Sequence, residues 1–534
     1  MARHSHDNWP LYSTQSPGWL RVRPPARCPR LRTETRRDQI TAASRASIIA
    51  RMLREPRLCT ANMETKAVYI LFCTVVVVLA AVARAGASKK LKRPRLGGPP
   101  LLGDAAAFAN NPVAAIKQSE SQCGPIFAVR MLFRDNVWLR GNKLNKFYAH
   151  VKEDTWSFGG GMGLFLNKVV VPGYFENLRT LIGSLNRCIN KNEALNHYAG
   201  VAREEASKSV DDWGRSGTDI ELFESVSYLV HRIIVRCLMG PDFYEKNVDD
   251  LYHLLHAVEA DIGNILHFLL PDWVPHPAAR RLWKKRDEMQ EIFRQRLRER
   301  EQNPEKWADA EDYISHTLRD KVALTLKEYF PAHHTLLMFA AHTSTVASIS
   351  WTITELLRNP DILEKLRHEL STVDNVHTSP LLVACLKETG RHYSGVNMLR
   401  LSHDPVTLPE SDVVVPAGSI VSISPYVTHH DPDNFARPYE WLPERWIDGK
   451  AQLIAPKAAD PSVFLGFGQG SHRCPGEKMA GYVTREVVGF LVKECTFDWG
   501  KPGRPEKFDL DFAKIGSPWL KGDVAVRVSR KPAA

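Results

Sequence analysis

Phe464-Leu465-Gly466-Phe467-Gly468-Gln469-Gly470-Ser471-His472-Arg473-Cys474-Pro475-Gly476-Glu477 sets four glycines and one cysteine just ahead of a run that can form a helix. Gly468 and Gly470 permit turn conformations and a close backbone approach that a side chain would block. Pro475 suits the first position of a helix, which puts Cys474 at a helix start. The unpaired N–H groups and the helix dipole there favour a thiolate. A lone cysteine is most often a small buried hydrophobe, so its meaning depends on the rest of the chain.

At 534 residues the chain has room for two or three average domains or one large enzyme domain. Its 44% apolar and 25% charged residues are those of an ordinary globular protein. The net charge of +11 looks suited to nucleic acid until it is located. Residues 1–62 hold twelve Arg, no Lys and four acidic residues, a net +8, which leaves +3 for everything after them. The basicity belongs to a tail, and a nucleic-acid partner is not expected. Nine cysteines without a C-x-x-C pair fit free thiols in a reducing compartment, not a disulfide framework or a zinc site.

Two further stretches stand out. Leu336-Leu337-Met338-Phe339-Ala340-Ala341-His342-Thr343-Ser344-Thr345-Val346 reads as a helix with small residues at its middle, where something bulky can approach the backbone. Its run of hydroxyls is poor helix chemistry. Glu388-Thr389-Gly390-Arg391 places opposite charges at i and i+3, on one helix face. By itself such a pair is usually solvated and worth under ~1 kcal/mol.

Taken together these stretches resemble the cytochrome P450 superfamily. Its haem-binding signature is Phe-x-x-Gly-x-(Arg/His)-x-Cys-x-Gly, and Phe467, Gly470, His472, Cys474 and Gly476 match it. The resemblance implies a mainly α fold with a small β region, which the mixed helical and strand-like patterning also predicts. It implies haem b as cofactor, with Cys474 as the iron ligand opposite the oxygen site, where a thiolate favours O–O cleavage. Gly476 lets the following helix pass close beneath the macrocycle. Thr343 holds the alcohol position of the oxygen-activating helix, and His342 stands where the family usually has an acid. The His-Thr-Ser order is similar to the sterol 14-demethylase group. His342 either relays protons near neutral pH or only packs between helices. The usual glycine is Ala340 here, which tightens the oxygen groove. Glu388 and Arg391 are expected to be buried and joined by Arg445, from Leu442-Pro443-Glu444-Arg445-Trp446, where Phe is commoner than Trp446. Gly390 stands where Leu is usual. His472 and Arg400 would hold the haem propionates as cationic donors.

The expected organisation is an extension over 1–62, a membrane anchor over 63–88, a basic and Pro/Gly-rich hinge over 89–104 and a catalytic domain over 105–534. The extension is read as disordered or lying upstream of the real start at Met63, with a targeting presequence as the rival. Ala67 to Ala83 is an uncharged run of 17 residues, short for a membrane span. Ala83-Arg84-Ala85 fits a cleavage site, but Lys89-Lys90-Leu91-Lys92-Arg93-Pro94-Arg95 argues for an uncleaved single-pass anchor with that side cytosolic. The resemblance places it in the endoplasmic reticulum membrane. Trp156-Ser157-Phe158-Gly159-Gly160-Gly161-Met162 reads as a glycine-rich break, either the mobile roof of the substrate pocket or an ordinary loop. Ile262 to Leu270 and Pro271 to Pro277 read as an apolar helix end and a stiff turn; the resemblance makes this place the substrate-access lid, with Trp273 either at the membrane surface or packed against a neighbouring helix. Val413 to Ile423 turns like a hairpin.

The function expected is a haem-thiolate monooxygenase. It would take electrons from NADPH through a cytochrome P450 reductase and insert one oxygen atom into a hydrophobic substrate, a steroid, terpenoid or other secondary metabolite. Lys478 and Arg473 are candidate reductase contacts. The rivals are a haem-thiolate isomerase or dehydratase needing no external electrons, against which Thr343 argues, and a non-enzymatic membrane-tethered haem-binding protein.

Overall fold

A computed structural model describes residues 91–97, 104–131, 134–264, 267, 274–448, 463–514 and 516–532. The expected extension, the anchor, half of the hinge, and the lid around Trp273 lie outside the described residues.

The domain is built around the helix Phe330–Arg358, 29 residues long and buried along most of its length. Pro331 sits in its first turn, where no N–H is needed. Its hydroxyls are accommodated by bonding back: Thr335, Thr345, Thr352 and Thr354 each donate to the carbonyl four residues earlier. Asn359 closes the end by donating to the Glu355 carbonyl, and Pro360 opens the next helix. The stretch Ala323–Arg358 is long and apolar enough to cross a membrane, but 72% of its most apolar 18-residue window is buried inside the domain, where it serves as core. Against it pack the helices Leu222–Ile234, Pro277–Gln302, Pro380–His392 and Glu477–Glu494.

The main sheet has five strands in the order Ile126–Met131, Arg134–Leu139, Ile420–Ile423, Met398–Ser402 and Trp156–Ser157. All neighbours are antiparallel except Arg134–Leu139 against Ile420–Ile423. The turn expected within Val413–Ile423 is present at Gly418, with φ +75, yet its arms are not a hairpin. Val414–Val415 pairs with Val406–Thr407, whereas Ile420–Ile423 joins the five-stranded sheet. Each arm finds a better-matched neighbour elsewhere, a tertiary outcome that alternation alone does not encode.

The glycine-rich break is also different: Phe158–Leu166 is a helix. Ser157 accepts from the Gly160 N–H at 2.7 Å, and Glu153 accepts from the Phe158 and Gly159 N–H groups at 3.0 and 3.1 Å. These caps satisfy donors a glycine-rich helix could not hold by propensity. A Cβ at Gly161 would lie 2.8 Å from Leu399 and 3.0 Å from the Arg400 backbone, so the glycines let this helix lie flush on the strand Met398–Ser402.

Candidate active site

Glu388 and Arg391 come from the helix Pro380–His392 and are completely buried. Arg391 grips both Glu388 oxygens, at 2.8 and 2.9 Å. Arg445 Nε adds a third bond at 3.0 Å, the Leu442 N–H a fourth at 2.9 Å, and the Trp446 indole a fifth at 2.8 Å. The tryptophan noted as unusual therefore supplies a donor that phenylalanine lacks. Arg391 also donates to the carbonyls of His429, Pro438 and Glu440, which stitches the helix to the following meander. A Cβ at Gly390 would meet nothing within 4 Å, so this glycine departs from the family pattern without straining the fold.

The meander reaches the cysteine loop through His429, which the sequence reading missed. Its Nδ1 lies 3.0 Å from the Arg391 carbonyl and 2.9 Å from Ser394 Oγ, and its Nε2 accepts from the Leu465 N–H at 2.8 Å. Burial pushes this imidazole down to about 3, so it is neutral and keeps the lone pair that Leu465 needs.

The loop then turns on Gly468 and Gly470, with φ +71 and +64. A Cβ at Gly470 would come within 2.6 Å of the Ala149 carbonyl oxygen, so only glycine fits. The Cys474 N–H donates to the Phe467 carbonyl at 2.8 Å, and the Gly476 and Glu477 N–H groups point at its sulfur. The helix begins at Glu477, two residues beyond the expected Pro475. Cys474 is the exposed member of the six described free cysteines, yet the protein around it desolvates the thiol enough to raise its pKa, so it faces a recess. Desolvation outweighs the helix N–H groups there, and a thiolate in this place needs a neighbouring cation. Phe467 is exposed beside it; on the central helix Ala340 is the one exposed residue.

Arg400 is buried, with its guanidinium 4.6 Å from the Tyr148 ring centre and one hydrogen bond to the Val151 carbonyl. Among the described residues no carboxylate pairs with it, which leaves a buried cation able to take an anion. His472 stacks on Phe158, and its Nε2 lies 2.7 Å from Glu153 at an angle poor for a hydrogen bond. Burial alone would raise the Glu153 carboxyl, but His472, the Phe158 and Gly159 N–H groups and Ser157 hold it at about 2. Arg473, expected to be free for a partner, is tied to Glu477 at 2.5 and 2.7 Å.

On the central helix His342 is fully buried and Thr343 nearly so. The acid missing from the helix arrives from another one. Glu259, on Pro241–Ile262, accepts from Thr343 Oγ1 at 3.1 Å and lies 3.4 Å from His342 Nδ1. Burial opposes its ionisation, but His342, Lys514 and His256 hold the carboxyl below the usual range. The Trp519 indole donates to the Thr343 carbonyl at 3.0 Å. An apolar cluster of Leu166, Val169, Leu255, Val258 and Phe339 adjoins this part of the helix.

Comparison with known proteins gives a consistent answer. A family model described as cytochrome P450 matches residues 94–518. "Cytochrome P450 monooxygenase pynD" of Aspergillus niger is 52% identical, over 83% of this chain and 93% of that protein. "Cytochrome P450 monooxygenase pyvB" of Aspergillus violaceofuscus is 52% identical, over 82% of this chain and 90% of its own length. Bovine lanosterol 14-alpha demethylase is 25% identical over 75% of this chain and 81% of its own. A solved structure, "Retinoic acid bound cyanobacterial CYP120A1", shares the fold with a TM-score of 0.67 at 18% identity, over 83% of this chain and 99% of that one.

Proposed function

The chain belongs to the cytochrome P450 family and is a monooxygenase; from that premise we propose that it is a membrane-anchored haem-thiolate enzyme of fungal secondary metabolism, driven by NADPH through a partner reductase. The observation that carries the reading is the pairing of one recessed, exposed cysteine with a buried cluster in which Glu259 meets Thr343 and His342 of the central helix.

The residues suit a haem. Cys474 Sγ, held by the Gly476 and Glu477 N–H groups, would ligate the iron, whose charge is the cation the recess calls for. The buried Arg400, lacking a carboxylate partner, would take one propionate. His472 would serve a second by turning from Glu153, whose carboxylate remains capped by backbone N–H groups. Phe467, Gly470 and Gly476 shape the loop beneath. Haem bound there supplies the redox centre at which dioxygen is reduced with two electrons and one of its atoms is transferred.

The remaining work falls to the protein. The apolar wall from Leu166 to Phe339 favours a hydrophobic substrate, such as a steroid, terpenoid or other secondary metabolite. Thr343 would hold a proton on Oγ1 for the oxygen site, and Glu259, 3.1 Å from that hydroxyl, would return it. Glu259→Gln is expected to lower product formed per NADPH consumed by about 10²-fold, the lower range for loss of an acid–base group. The reduced carbon monoxide spectrum should stay intact, and unchanged coupling would remove Glu259 from the reaction. The uncharged run of residues 67–83 and the cations after it support a single-pass endoplasmic reticulum anchor with this domain cytosolic.

The test is reconstitution of the full chain with reductase and NADPH against a panel of apolar metabolites under labelled dioxygen. One labelled oxygen atom in the product, dependent on NADPH, is expected. Conversion that proceeds equally without NADPH and takes up no label would replace this reading with isomerisation or dehydration.

A further inference from the structure

The buried cluster at Thr343 continues outward in a direction the reaction does not by itself require. Ser227, on the helix Leu222–Ile234, is completely buried, and His342 Nε2 lies 3.2 Å from its Oγ and 3.1 Å from its carbonyl oxygen. The Oγ accepts from the Tyr252 hydroxyl at 3.3 Å and lies 3.3 Å from His256 Nε2. The Tyr252 hydroxyl in turn reaches Glu224 Oε1 at 2.7 Å. Glu224 is exposed, and it lines, with Asp212, Trp213, Tyr228 and Tyr252, an open surface cleft of about 390 Å³. A file of hydrogen-bonding groups therefore runs from solvent to the central helix: Glu224, Tyr252, Ser227, His342, Glu259, Thr343.

We propose that the protons consumed in each turnover enter at this cleft and travel along that file. The inference rests on the acid–base role given above to His342, Glu259 and Thr343. Monooxygenation adds two electrons and two protons to dioxygen, one atom entering the substrate and the other leaving as water. A proton arriving on Glu224 displaces the next one along. Tyr252 takes it and gives its own to Ser227, and Ser227 gives its hydroxyl proton to His342 Nε2. The ring releases its Nδ1 proton to Glu259, and Thr343 passes it to the oxygen site. Every group ends with as many protons as it began with and one positive charge has crossed the file; His342 is left protonated on Nε2, and its tautomer resets before the next passage. Two nitrogens facing opposite ways are what this step needs, and histidine is the side chain that offers them. That explains why His342 stands where a helix acid would be sufficient for a direct contact. His256 borders the file at Ser227. Lys514 reaches Glu259 from another side, at 3.8 Å, and defines the competing way in.

The experiment compares Tyr252→Phe, Glu224→Gln, Lys514→Met and Tyr228→Phe in the full chain, reconstituted with reductase, NADPH and dioxygen. Tyr228 lines the same cleft, but its hydroxyl bonds Asp249, off the file. Haem content and the carbon monoxide spectrum are read first, then the share of consumed dioxygen released as peroxide or superoxide, and the rate ratio in H2O and D2O. Y252F and E224Q are expected to raise that share and slow reduction to water by roughly five- to tenfold, with a larger solvent isotope effect and unaltered spectra. Y228F should match the unsubstituted chain. Unchanged partition in Y252F and E224Q, or a change confined to K514M, overturns the route. An unsubstituted chain that consumes no dioxygen with reductase and NADPH overturns the monooxygenase reading instead.

Discussion

Cys474→Ser is expected to abolish the strongly red-shifted Soret band that the reduced, carbon monoxide-treated protein should show. The loop would be little disturbed by the change. Its backbone is held by the Cys474 N–H on the Phe467 carbonyl and by glycines whose positive φ and close approach do not involve the sulfur. What is lost is an anionic, electron-rich donor, since a serine hydroxyl is a far weaker acid and remains neutral. Folded variant that keeps the shifted band would show that another residue ligates the iron. A band at the ordinary histidine-ligated position in the unsubstituted protein would remove the thiolate, and with it the oxygen chemistry, from the assignment.

Glu388→Ala should cost the protein its haem, with no change of substrate preference on the way. Five hydrogen bonds converge on that carboxylate, three of them from two guanidinium groups, and neither guanidinium has a second carboxylate to turn to among the described ion pairs. Removing it leaves Arg391 buried and uncompensated, which costs roughly 3–5 kcal/mol. The strain falls on the meander, and His429 transmits it to Leu465 at the start of the cysteine loop. Trp446→Phe withdraws a single donor and offers a graded comparison, about 1.5–3 kcal/mol for a bond to a charged group. Haem per polypeptide after purification is the measurement, with thermal unfolding beside it. Full haem occupancy in E388A, at an unchanged midpoint, would reduce the cluster to ordinary packing.

The cysteine loop and the Glu-x-x-Arg pair were legible because their chemistry is local. A turn that needs glycine at 468 and 470, or two charges on one helix face, is written within a few consecutive residues. The chain order of Thr343, Glu388, Arg391, Arg445 and Cys474 carried the family and the mainly helical fold. Arg400 and His472 could be named from the resemblance, but not the Glu153 that lies 2.7 Å from His472.

What tertiary structure alone decided lies in contacts between distant helices. Glu259 stands 84 residues before Thr343 in a stretch with no motif, and only the crossing of two helices brings its carboxylate to the hydroxyl. Ser227, Tyr252 and His429 are ordinary residues until packing aims them at His342, Ser227 and Leu465 respectively. The same holds for the arms of the Gly418 turn, which part to different sheets, and for the glycines at 159–161, which become a capped helix against a strand. Short-range sterics and capping are encoded by neighbours in the chain. Burial and hydrogen-bond partnership are set by which surfaces meet, and a buried polar group takes its role from the partner that packing provides.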